Sequence, residues 1–321
     1  MLNGLSTHAN LVILDADVVN VNTGEIIKTS IAIEGDRICR VGRIDDLISS
    51  ETIVVDGMNR YACPGFIDSH VHVESSMLTL TEFAKAALLH GTTSVVIDPH
   101  EIANVLGVKG VKLLLEEGTR LPLDLYLTVP SCVPATSADF ETSGATIDVE
   151  DVKNLITHDR VVALAEMMNF PGVLDKEPKV LEKMRVALSL GKRIDGHAPG
   201  LSGAQLCDYL FEGVHSDHES TLAEEALEKL RLGMWVMARK GSIAKNLVEL
   251  LRFFLERKVN TRHVMLVTDD LSPIDLLEGH MNELVRETIE VGYDAITAIQ
   301  MATINAATYF RIDHEVGSLS P

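Results

Sequence analysis

The chain has 321 residues, 46% of them hydrophobic, with 28 lysines and arginines against 47 aspartates and glutamates and a formal net charge of -19. That length and apolar content suit one large domain plus a small one. The acidic balance excludes the basic stripe that nucleic-acid phosphates require, and no run approaches the roughly 20 apolar residues of a membrane span. The opening MLNGLSTHAN lacks a basic segment followed by an apolar one. Cys39, Cys63, Cys132 and Cys207 form no C-x-x-C pair and suit reduced thiols in a cytoplasmic protein.

Residues 11 to 63 alternate β-branched and polar positions and are punctuated by Asn-Thr-Gly and Gly35-Asp36, which predicts hairpins and a small β unit. From Gly65 the pattern changes to apolar strand-like runs, each followed by a helical stretch, and eight such units are counted. Continuous apolar strands indicate a parallel sheet covered on both faces, and eight units in roughly 250 residues are what a closed barrel needs. The expected fold is therefore α/β, a (β/α)8 TIM-type barrel over residues 64–310 with a small N-terminal β-sandwich-like domain over residues 1–63. Residues 311–321 are expected to begin a return to that small domain. A doubly wound open sheet is the competing topology, weakened because no G-x-G-x-x-G follows a strand.

Strand one of the expected barrel ends in His70 and His72, two residues apart and so on one face of a strand. Strand four ends in Glu166, strand five in His197, strand six in His218 and strand eight in Asp269. Barrel sites are built at these C-terminal strand ends. Four imidazoles and two carboxylates exceed what one open-coordinated ion needs, but suit two divalent ions, about 3.5 Å apart, sharing a bridging carboxylate. His100 and Glu101 follow strand two and lie near the mouth, with helix capping as the plain reading of Glu101. Position 104 is Asn, so no H-E-x-x-H motif forms. His215, three residues before His218, is expected on the outer face of its strand.

The segments PGFIDSHVHVESSM, GTTSVVIDPHEIANVLG, VPSCVPAT, AEMMNFPGV, DGHAPGLSG, SDHES, RKGSIAKNL, TDD and MATINAAT run in that order from residue 64 to about 308. In this the chain resembles the adenine deaminases of the amidohydrolase superfamily. The resemblance implies a metal-bound barrel beside a small β domain built from both chain ends, and the hydrolysis of adenine to hypoxanthine and ammonia in purine salvage. It implies that His70, His72 and Asp269 hold one ion, that His197 and His218 hold the other, and that Glu166 bridges them. Manganese or iron would be accepted as well as zinc. Water activated at the ions would attack C6 of the base, with Asp269 as proton shuttle and either Glu74 or Glu101 protonating the ring. Ser75, Ser76 and the loop of residues 197–203 are candidates for shaping the base pocket.

Two features depart from the family pattern. Leu271-Ser272-Pro273 follows TDD where a basic residue and a polar turn are usual, and Lys240 stands where an acid is common. The family also continues for roughly another domain, so the small sheet is expected to carry an open edge. Self-association and weak activity of these 321 residues alone are expected to follow. Besides a purine base as the small-molecule partner, the residues leave room for another cyclic amide or aminated heterocycle, or for a non-catalytic barrel.

Overall fold

The computed structural model describes residues 8–136 and 139–321. Their contacts divide into two compact units, one made of the residues up to Pro64 with Val316–Pro321 and the other of Gly65–Glu315.

The smaller unit holds β1 (Leu11–Asn20), β2 (Glu25–Glu34), β3 (Arg37–Val41), β4 (Ile53–Asp56) and β5 (Tyr61–Ala62). Among the described residues they form one sheet in the order β3-β2-β1-β4, with β5 also paired to β1. β1 and β2 are an antiparallel hairpin, and β4 joins β1 in parallel. At the hairpin turn the Asn20 side chain accepts from the Asn22 and Thr23 amides, and Gly24 supplies a φ of 74° that a Cβ would strain. Val12, Ala32 and Ile44 are buried on one side of the sheet, Ala16, Val18 and Ile31 in a second cluster. β4 is different: Ile53, Val54 and Val55 are all exposed.

The larger unit carries β6 (Phe66–His72), β7 (Thr92–Ile97), β8 (Asp124–Val129), β9 (Val161–Met167), β10 (Arg193–Gly196), β11 (Ser216–Asp217), β12 (Trp235–Arg239), β13 (Val264–Val267) and β14 (Asp269–Asp270). All their pairings are parallel, in two ladders ordered β10-β9-β8-β7-β6-β14 and β11-β12-β13. β13 and β14 are one strand interrupted at Thr268, so the strands follow one another around a TIM-type ring in chain order. Between β10 and β11 no ladder forms. The His215 amide, bonded to the Ile194 carbonyl at 3.0 Å, the Gly196 amide, on Ser216 Oγ at 3.4 Å, and the Ser216 hydroxyl, donating to Asp195 Oδ1 at 3.1 Å, span that gap instead.

Helices follow the strands because each strand's outward residues are apolar and need a cover. Leu80–Leu89, Val108–Gly118 and Pro178–Ser189 bury Phe83, Leu114 and Met184 against Val95, Leu127 and Leu164. Leu247–Glu256 and Met281–Val291 bury Leu250, Phe254 and Leu284 against Val264 and Leu266. After β7 the helical pattern is broken into His100–Leu106 and Val108–Gly118 by Gly107, whose φ of 58° ends the first helix. His100 and Glu101 lie in the first turn of the earlier helix, which starts three residues after the end of β7. Among the described residues no helix is long and apolar enough to cross a membrane, and all four cysteines are free.

Candidate metal centre

β6 turns His70 and His72 to the same face, and both are buried. Glu166 is near the end of β9, His197 follows β10 and His218 follows β11. Asp269 opens β14 with a φ of 60°, a left-handed conformation uncommon for residues with a Cβ. The break at Thr268 and this turn re-aim the Asp269 carboxylate into the ring of histidines.

Glu166 is the meeting point. Its Oε2 lies 2.5 Å from His197 Nδ1 and 3.3 Å from His218 Nε2, while Oε1 lies 3.3 Å from His72 Nε2 and 4.0 Å from His70 Nε2. Asp269 Oδ1 is 3.2 Å from His72 Nε2 and 3.6 Å from His70 Nε2. Atoms bonded to one ion at about 2.0–2.2 Å, near right or tetrahedral angles, stand about 3.0–3.6 Å apart. Most of these gaps have that spacing and are too long for good N–H···O hydrogen bonds. His70 Nε2 is buried and lacks a hydrogen-bond partner although two carboxylates face it. The donor set therefore fits a divalent cation, and His70–His72–Asp269, His70–Glu166–His218 and His197–His218–Glu219 are each spaced to share one.

Four further side chains join the cluster. His100 Nδ1 is 3.4 Å from Glu166 Oε1 and 3.5 Å from Asp98 Oδ1. Glu219 lies 3.4 Å from His218 Nε2 and accepts a two-pronged contact from Arg239, whose Nη1 also sits 2.6 Å from Asp269 Oδ2. Asp98, Glu219 and Arg239 were not singled out from the sequence. The signal available for them was position, since each stands at or beside the C-terminal end of a strand.

Of the two candidate acids, Glu101 is the one inside the cluster, its Oε2 3.6 Å from His72 Nδ1 and its Oε1 3.5 Å from His100 Nε2. Burial pushes its carboxyl up to about 7, against the pull of His72 and His100. Glu74 instead accepts from the Ile102 amide at 3.2 Å and belongs to none of the ion-sized sets among the described residues. Ser75 donates to Asp270 at 2.5 Å, whereas the buried Ser76 hydroxyl donates to the Val73 carbonyl at 2.6 Å. Lys240 pairs with Glu287 at 2.6 Å, and Ser272 caps the helix Pro273–Glu278. Among the described residues His215 joins no ion-sized set.

Burial alone would raise Glu166, but His218 and the hydrogen bond from His197 outweigh it and hold the carboxyl well below its usual range. Burial likewise works to lower His72 and His218, and the facing carboxylates overcome it and raise both. Protons and cations thus compete for the same imidazole nitrogens.

Residues 61–321 match the amidohydrolase family. The chain belongs to that family. Among curated proteins, the chain is 50% identical to an adenine deaminase of Methanococcoides burtonii over 303 residues, 94% of this chain and 52% of the relative. It is 47% identical to an adenine deaminase of Desulfatibacillum aliphaticivorans over 97% of this chain and 53% of the relative. The chain thus spans about half the length of the curated relatives it matches. A crystal structure of an adenine deaminase superposes with a TM-score of 0.70 at 17% identity, covering 97% of this chain and 87% of that one, which speaks to the fold alone. Family membership and the clustered imidazoles and carboxylates together support divalent metal binding.

Proposed function

We propose that this chain carries the metal-binding barrel of an adenine deaminase, which hydrolyses adenine to hypoxanthine and ammonia in purine salvage. The observation that carries the reading is Glu166, whose two oxygens face two different sets of imidazoles. His70, His72 and Asp269 would hold one ion and His197 and His218 the other, with Glu166 between them. Manganese or iron suits this mixed nitrogen and oxygen set, as does zinc. Ions at such a site supply water acidic enough to serve as a nucleophile near neutral pH.

The chain's own groups do the rest. Asp269 serves as the proton shuttle, its carboxylate oriented by Arg239 on Oδ2. Glu101, buried and able to keep its proton near neutral pH, donates to the purine ring, and the geometry favours it over Glu74. Four free thiols support a cytoplasmic location, and the exposed apolar residues of β4 support self-association, which sedimentation would measure.

The test is ammonia release from adenine by the manganese-loaded whole protein, set against hydrolysis of hydantoin and dihydroorotate. Turnover of adenine alone is expected. Turnover of the cyclic amides with none of adenine would replace the substrate, and no turnover of any of them by a metal-loaded protein would remove the enzymatic reading.

A further inference from the structure

The helix Ala223–Arg231 buries a lysine completely. Lys229 Nζ lies 2.9 Å from the Ala198 carbonyl, 2.9 Å from Asp217 Oδ2, 3.1 Å from Ser220 Oγ and 2.6 Å from Glu225 Oε1. An ammonium has three donors, so these four acceptors saturate it, and two carboxylates match a charge that would otherwise be costly to bury.

The acceptors are not arbitrary in sequence. Ala198 directly follows His197, and Asp217 directly precedes His218. Asp217 Oδ1 accepts the Ala198 amide at 2.9 Å, tying the two segments a second time. Glu225 Oε1 accepts the Gly200 amide at 2.9 Å and Glu225 Oε2 the Thr221 amide at 3.3 Å, so the loops after β10 and β11 hang from the same helix. Elsewhere in the ring parallel ladders, some with register shifts, join neighbouring strands. Here β10 and β11 have none.

We propose that Lys229 is a positioning residue that replaces the missing ladder and sets the spacing of His197 and His218 about Glu166 Oε2. The inference rests on the reading of those two histidines as ion ligands. Its consequence is local: loosening the knot displaces the His197–His218 side of the cluster and leaves His70, His72 and Asp269, carried by β6 and β14, in place.

The experiment is ion content by elemental analysis of the purified whole protein loaded with manganese, with thermal unfolding followed in parallel. The parent is expected to hold two ions and the Lys229→Met variant one. Adding His218→Asn to Lys229→Met should remove no further ion, whereas adding His70→Asn should bring the content close to zero, a pattern general loosening of the fold would not produce. Where Lys229→Met fails to fold, Glu225→Gln keeps the lysine and loosens the same loops, and a content below two is expected. Two ions retained in the folded variant, or both lost in step with the melting temperature, would overturn the role of Lys229. A parent that holds no ion would overturn the metal reading itself, and the positioning role with it.

Discussion

Arg239 Nη1 sits 2.6 Å from Asp269 Oδ2, so Asp269 meets His70 and His72 with its other oxygen, Oδ1. One guanidinium thereby orients the strand-eight carboxylate and, through its fork onto Glu219, links it to the segment that carries His218. Removing it in Arg239→Ala should weaken metal retention and turnover by about 10- to 100-fold, the usual cost of losing a group that orients a ligand. Arg239→Lys should recover only part, since an ammonium cannot reproduce the fork. Chelator competition and kcat/KM check both, and parent-like values in Arg239→Ala would show that Asp269 is held by its backbone alone.

Asp269→Asn should keep the fold and much of the metal yet lose most turnover, by roughly 10²-fold to 10⁴-fold, because an amide cannot take up a proton. The comparison is kcat at matched metal content. A metal-loaded Asp269→Asn variant with undiminished kcat would take the proton-transfer role away from this residue.

Gly196 is a glycine for reasons of space. A Cβ there would stand 2.0 Å from the Ser216 carbonyl oxygen, across the gap between β10 and β11. Gly196→Ala should therefore cost about 1–3 kcal/mol or more, the range for forcing extra volume into a packed site. Denaturant unfolding measures it, and a cost near zero would mean that the two strands part freely.

His215 makes stability fall with acid. Burial, helped by the nearby Arg193 and Arg311, lowers its pKa to about 4 from an ordinary value near 6.5. Between those values the unfolded chain binds the proton and the folded chain does not, so the contribution is present above pH 6.5 and is lost as pH falls toward 4. It is on the order of 2 kcal/mol after allowance for solvent at the exposed edge of the ring. In His215→Leu this part of the pH dependence should disappear. Unfolding curves of parent and variant with identical slopes against pH would contradict the assignment.

Bound ions should matter more at high pH. His72 and His218 are raised by facing carboxylates, so without ions their protons stabilise the fold at low pH and that contribution fades as pH rises through their folded values. Cations replace those protons, adding about 2.7 kcal/mol at a hundredfold excess over Kd. The melting-temperature difference between manganese-loaded and chelated protein should be larger at about pH 8 than at about pH 5. Equal differences at both would place the ions away from these imidazoles.

Local pattern was enough for much of this molecule. Apolar runs alternating with helical stretches determined a parallel α/β ring, because a strand covered on both faces must be apolar throughout. The two-residue period alone put His70 and His72 on one face. The turns at Gly24 and Gly35 could be read because a positive φ selects glycine, as both adopt here. Tertiary structure decided what depends on distant residues meeting. Arg239 reaches Asp269 across 30 positions, and Glu101, rather than Glu74, faces His72 from the first turn of the helix that follows β7. The absence of a ladder between β10 and β11, and the buried Lys229 that spans the same two segments, exist only once the ring has formed. No periodicity encodes such contacts, since they are set by which strand ends become neighbours and by the need to pair every charge that closure takes out of water.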